Sequence, residues 1–346
     1  MKYHILSKEI YEEKLADLLQ RREGSSNTIY MDGNGLPTIG IGYALMFANH
    51  EPRNIEEIKA DMKNAMDPTH YADINWKKVE SLLENIKDSF KKGYDPVAIQ
   101  TKINNYYKNN DKGTLRLTKE EEKTLLTNVV LPKFEKQLDN ALTKHLPYST
   151  ERVATISQIY RLGIHGAPSM IKAINEGNRA EAWYQIRYNS NGDNLKGNYD
   201  RVIEESDLFC LHDKYPNAKN EKDIKDMFSD PDHASKIEKE EKKSPLYQKS
   251  NEEHHYNLYS LSHIKGKETS QTNQPYTSSL LSSDEMIPNA QIADFDTNEN
   301  KDDLANTEAL AYVPGIMMFP TTIDAKDIVL ASDTSNKNDV DNGMGM

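Results

Sequence analysis

Residues 21–45 read RREGSSNTIYMDGNGLPTIGIGYAL, the outline of a helix end followed by a small hairpin. Glu23 closes an amphipathic run in which Tyr11, Leu15, Leu18 and Arg22 recur at i, i+4 and i+7, with Leu19 beside them. Ser7 suits the helix start, and Gly24 is the residue expected just past the end. The Gly33-Asn34-Gly35 cluster, flanked by 29–31 and the alternating 38–43, predicts two strands joined by a tight turn. Pro37 fits only the first residue of a strand or a sheet edge. Folded this way, the hairpin brings Asp32 and Thr38 back across from Glu23.

Those three residue types match a definite chemistry. Cleaving a glycosidic bond takes one protonated carboxyl for the leaving oxygen and one ionised carboxylate across the sugar ring. A helix C-terminus carries partial negative charge, which disfavours an anion on Glu23 and is expected to keep it protonated, as a general acid must be. Asp32, in a turn with backbone N–H groups and solvent, is expected to stay ionised and orient a water. Thr38 adds a hydroxyl for the same water.

The order Glu23-Gly24, Tyr30, Asp32, Gly35, Thr38-Ile39-Gly40 and Gly42 closely resembles the signature of phage-type lysozymes, glycoside hydrolase family 24. The resemblance implies that Glu23 is the general acid and that Asp32 and Thr38 position water for an inverting attack on peptidoglycan. It implies hydrolysis of the β-1,4 bond between N-acetylmuramic acid and N-acetylglucosamine, with no cofactor and no metal. This chain has Tyr43 where the family often has His. The segment 117–126, LTKEEEKTLL, resembles the opening of the family's C-terminal lobe, and 166–191 and 196–211 resemble later parts of that lobe. There Val202 replaces the second Arg of a family pair, and Arg161 stands where Asn is usual. Arg187, Asn191 and Arg201 are candidates for lining the cleft and binding muropeptide carboxylates, since guanidinium suits such groups. Ordinary polarity and helix capping is the competing reading of that cluster.

The chain has 346 residues and a formal charge of −12, unevenly spread. Residues 251–346 hold 16 acids against 5 bases, so residues 1–250 are nearly neutral. A basic footprint for nucleic acid is missing. The single cysteine, Cys210, excludes an internal disulfide, and its LFCL setting marks a small apolar filler. The N-terminus shows no apolar run of a Sec signal, and no stretch is long enough for an integral membrane segment. The expected route is therefore synthesis in the cytoplasm and access to the wall after lysis or by dedicated secretion.

Beyond the hairpin, 46–117 read as a charged helical insertion. Trp76, Val79, Leu82, Leu83, Ile86 and Phe90 form a helical face ending at Gly93, and Pro96 opens a second helix. Thr118-x-x-Glu121 is a capping box. The pattern predicts one helix to Pro132, a second stripe through Phe134, Leu138, Leu142 and Leu146, and a core helix over Val153, Ile156, Ile159 and Tyr160. Trp183 reads as core. Residues 219–250 are a Lys/Glu run expected to be a solvated helix or linker. Residues 251–346 have the composition of a disordered tail. In it, His254-His255 lack a second ligand pair, and the calcium-loop-like start at Asp294 fails at Glu299 and Ala305. Residues 308–331 hold its apolar content, which suits docking to a delivery chaperone or an immunity protein and equally two short strands of no special role.

The fold expected is mainly α (α+β), a lysozyme-like two-lobed architecture with a small β-hairpin lobe. The catalytic domain spans 1–215 with its insertion at 46–117, followed by a charged linker or helix at 216–250 and an acidic tail at 251–346. The function expected is an antibacterial or lytic muramidase acting on peptidoglycan. Two alternatives stay open: a catalytically silent peptidoglycan-binding protein on the same scaffold, and a lytic transglycosylase using Glu23 alone.

Overall fold

A computed structural model of the chain describes residues 1–108, 113–191, 198–215 and 217–256. The acidic tail, apart from its first six residues, lies outside the described residues. The fold is mainly helical with one small antiparallel sheet.

Helix α1 (Lys8–Glu23) starts on Ser7, whose hydroxyl accepts the Ile10 N–H, and buries Tyr11, Leu15, Leu18 and Leu19. The sheet comes next: β1 (Ser26–Met31), β2 (Pro37–Gly40) and β3 (Tyr43–Ala44), in that order. Tyr30 sits opposite Thr38 and Met31 opposite Pro37. One expectation needs correction here. The run 38–43 is not a single strand, because Gly40 and Gly42 both take positive φ (63° and 74°) and fold the chain so that Ile39 pairs with Tyr43. A side chain is strained in that left-handed region, and glycine is not.

The insertion forms α2 (Ile55–Lys63), α3 (Pro68–Ala72), α4 (Trp76–Lys92) and α5 (Pro96–Tyr107). It closes back on the hairpin: the Tyr107 hydroxyl donates to the Leu115 carbonyl (2.7 Å) and accepts the Ile29 N–H (2.8 Å). The capping box at Thr118 forms as expected and opens α6 (Lys119–Leu125). The helix does not stop at Pro132. A π-helical turn, Leu126–Val130, runs directly into α7 (Leu131–Ala141), and Pro132 sits just past their junction with helical backbone before it.

Helices α8 (Thr150–Leu162), α9 (Pro168–Glu176), α10 (Arg179–Tyr188) and α11 (Tyr199–Phe209) complete the central core. Trp183 is fully buried in it. Cys210 is partly buried, and burial pushes its thiol up to about 11, so it is a protonated filler at neutral pH.

The charged run after residue 216, expected as a solvated helix or linker, forms three helices, α12 (Ala218–Ser229), α13 (Pro231–Glu241) and α14 (Pro245–Glu253), which pack on α10 and α11 instead of standing in solvent. Ile224, Met227, Phe228, Ile237, Tyr247 and Tyr256 are buried there and join the same hydrophobic cluster as α1 and the insertion. A division at 215/216 therefore does not separate two cores. No helix among the described residues is long and apolar enough to cross a membrane.

Candidate active site

Glu23 is the last residue of α1, so its side chain leaves the helix where Gly24 turns the backbone away (φ 71°). It is 2 % exposed, and the Arg201 guanidinium donates to it through Nη1. The negative end of the helix is thus only part of Glu23's surroundings; the other part is a cation 178 residues away in the chain. Arg201 is itself held. Its Nε donates to Glu205 (2.8 Å), one turn along α11, and its Nη2 donates to the Ser157 carbonyl on α8 (3.0 Å). Glu205 also accepts from Gln158 and the Ser157 hydroxyl. Every member of this chain is buried. Buried polar groups persist when each has partners, and here each does.

Asp32 occupies the turn between β1 and β2. Its Oδ1 accepts the N–H groups of Asn34 (2.9 Å) and Leu36 (2.8 Å), which fixes the carboxylate against the turn. The Thr38 hydroxyl lies 3.4 Å from Asp32 Oδ2 and 3.1 Å from the Leu36 carbonyl. Thr38 is buried and faces Tyr30 across the strand pair. Partial burial raises the Asp32 pKa above its ordinary 3.8, although the two N–H groups and the Thr38 hydroxyl pull the other way. Desolvation disfavours the anion more than three hydrogen bonds favour it. The turn amides hold Asp32 as expected, and its partial burial works against the anion.

Two phenols tie the carboxylates together. Tyr30 and Tyr160 are both raised well above 10, first by burial, and both feel the charges of Glu23 and Asp32. Tyr160 donates to the Ile41 carbonyl (3.0 Å), inside the Gly40–Gly42 turn. A Cβ on Gly42 would collide with the Tyr160 hydroxyl, so this glycine is needed for space as well as for φ.

The three arginine-cluster candidates separate. Arg201 reaches the site, but as the partner of Glu23. Arg187 does not: it is fully buried, donating to Ser206 (2.7 Å), Asp207 (3.1 Å), Ser250 (2.9 Å) and Asn251 (2.9 Å). The rings of Trp183, Tyr188, Tyr247 and Tyr256 surround its guanidinium. With no exposure, its guanidinium ties α10 to α11 and α14. Asn191 is 5 % exposed, its Oδ1 without a partner among the described residues. The departures from the resemblance also find places. Tyr43 donates to Asp61 of α2 (2.7 Å), Val202 is buried, and Arg161 donates to the Ser190 carbonyl (2.8 Å).

Sequence reading missed Tyr160 as more than core, the Ser157–Gln158–Glu205 support of Arg201, and Glu122. The last is a 3 %-exposed carboxyl on α6 whose pKa is raised by burial and whose charge reaches Tyr30. The i, i+4 pair Arg201–Glu205 was the one available signal.

No family model and no curated protein sequence matches the chain. Among solved structures, a mutant of P22 lysozyme is similar at a TM-score of 0.33 and 17 % identity, over 60 % of this chain and 97 % of that one. A likeness of that size carries no argument about this chain's chemistry, which rests on the site alone.

Proposed function

We propose that this chain is a muramidase that hydrolyses the β-1,4 glycosidic bond of peptidoglycan with inversion, using Glu23 as acid and Asp32 with Thr38 to direct water. What supports the reading is a buried Glu23 held by Arg201 at the end of α1 and, in the hairpin that follows, an Asp32 fixed by the Asn34 and Leu36 amides with the Thr38 hydroxyl 3.4 Å from it. Glu23 donates its proton to the leaving oxygen. The carboxylate that remains faces the Arg201 guanidinium, so the negative charge formed as the bond breaks meets a cation already in place. Glu205 keeps that cation anchored throughout. On the other side Asp32 accepts a proton from water, and the Thr38 hydroxyl, fixed between Asp32 and the Leu36 carbonyl, orients the attack. Tyr30 and Tyr160, kept neutral, form a wall that adds no competing charge.

Two rival readings remain distinguishable. A transglycosylase needs no second carboxylate, and the Asn34 and Leu36 amides aimed at Asp32 have no purpose in it. A silent binding protein has no use for Glu23 and Arg201 paired beside them. Mass spectrometry of fragments released from purified sacculi tests this: reducing muramic ends, with one water added per cut, support hydrolysis. Anhydromuramic ends or no fragments would overturn it.

The pH dependence comes from Asp32. Its raised pKa means that the folded state binds the proton more tightly than the unfolded chain. Asp32 therefore favours folding most at low pH, and that contribution is lost as pH rises through the raised value. Activity runs the other way, because the base must be ionised: kcat/KM falls as pH drops through the same value. The acid limb measured on soluble glycan fragments is expected above 3.8. Thr38→Val, which removes a bond to the anion, is expected to move it higher still. An acid limb at or below 3.8, or one indifferent to Thr38→Val, contradicts the role given to Asp32.

A further inference from the structure

The insertion and the loop before it carry a ladder of stacked rings. The His50 ring stacks on Phe90 with centroids 3.9 Å apart and planes 12° from parallel. Phe90 in turn stacks on Tyr94, 5.5 Å away and 4° from parallel. His50 comes from the loop after β3, Phe90 from the last turns of α4, and Tyr94 from just beyond it. The outermost ring, Tyr94, is 55 % exposed. Its hydroxyl packs against Gly35, where a Cβ would collide with it, and Gly35 belongs to the turn that holds Asp32. A second exposed ring, Phe47, lies three residues before His50 under the Arg53 guanidinium. Glu51, next to His50, is paired with Lys87 of α4 (2.5 Å).

We propose that Tyr94, backed by Phe90 and His50, is a sugar-stacking subsite that carries an uncleaved glycan strand from the Asp32 turn onto the insertion. This rests on the muramidase reading for the identity of the ligand, though not for its binding. A pyranose ring offers an apolar C–H face about the size of a phenol ring, and a flat aromatic fixed by two torsions covers such a face at little entropic cost. Parallel backing by Phe90 fixes the plane in which the sugar must lie. The phenol hydroxyl offers a polar group to the edge of an N-acetylated sugar. Nucleic acid is a poor occupant, because the chain is acidic and phosphate binding needs a cluster of cations. A protein partner is a poor one too, since one protruding ring is far smaller than an interface core.

The test uses the full-length chain carrying Glu23→Gln, so that binding is measured without turnover. Cosedimentation with purified sacculi and titration with soluble peptidoglycan glycans of two and six sugars give the affinities. Adding Tyr94→Ala is expected to weaken the six-sugar ligand roughly two- to tenfold, and more than the two-sugar ligand. Tyr94→Phe, which keeps the stack, is expected to restore most of the difference. Loss that is equal for both lengths would mean that Tyr94 only braces the Asp32 turn, and the subsite would be refuted. No loss at either length refutes it as well. Should the wild type release no fragments while the length-dependent loss persists, the hydrolase reading fails and the subsite stands.

Discussion

Glu23→Gln is expected to lower the rate of wall lysis by about 10²–10⁴-fold while leaving the protein folded. Gln matches Glu in size and can still accept a hydrogen bond from Arg201, but it cannot donate the proton on which bond cleavage depends. Removing one member of a buried ion pair commonly destabilises by roughly 3–5 kcal/mol, because the other charge is stranded. Here Arg201 is not stranded: Glu205 and the Ser157 carbonyl still hold it at 2.8 and 3.0 Å. The variant should therefore keep a cooperative thermal transition, and the two effects can be separated. Turbidity loss of outer-membrane-permeabilised bacteria, measured beside circular dichroism, provides both readouts. A folded variant that clears cells as fast as the wild type removes Glu23 from the chemistry.

Cutting the chain after residue 215 is expected to abolish cooperative folding. The first cut removes Ile224, Met227, Phe228, Ile237, Tyr247 and Tyr256, all buried. At roughly 1.5–3 kcal/mol each, six such side chains match or exceed the ~5–15 kcal/mol net stability of a typical domain. The cut also exposes Arg187 to a half-built pocket, without Ser250, Asn251 and two of its four rings. Thermal unfolding followed by circular dichroism decides it. An unchanged cooperative transition for 1–215 would show that α12–α14 are an appendage after all.

The contrast between these two predictions shows what could be read from the sequence. Glu23, Asp32 and Thr38 lie within sixteen positions of each other, and local signals place them: a helix stop at Gly24, a turn around Gly35, a strand opening at Pro37. Arg201 meets Glu23 across 178 residues, and no periodicity reports such a pairing. The desolvation of Asp32 was equally invisible, because it depends on what covers the turn rather than on the turn itself. Gly40 and Gly42 misled in another way. Alternation over 38–43 suggests one strand, yet two glycines with positive φ split it in two. The helices after 216 hid behind their charge. Ile224, Met227 and Phe228 do stand at i, i+3 and i+4, but Lys and Glu surround them so densely that the buried stripe looks incidental.

The central claim is that water, directed by Asp32 and Thr38, attacks the sugar from the face opposite Glu23. Proton NMR of newly released reducing ends, recorded before mutarotation sets in, tests it directly. Inversion at a β-linked bond predicts that the first product carries the α-anomer. A first product in the β configuration, or an anhydro end with no free anomeric hydroxyl, would contradict the account.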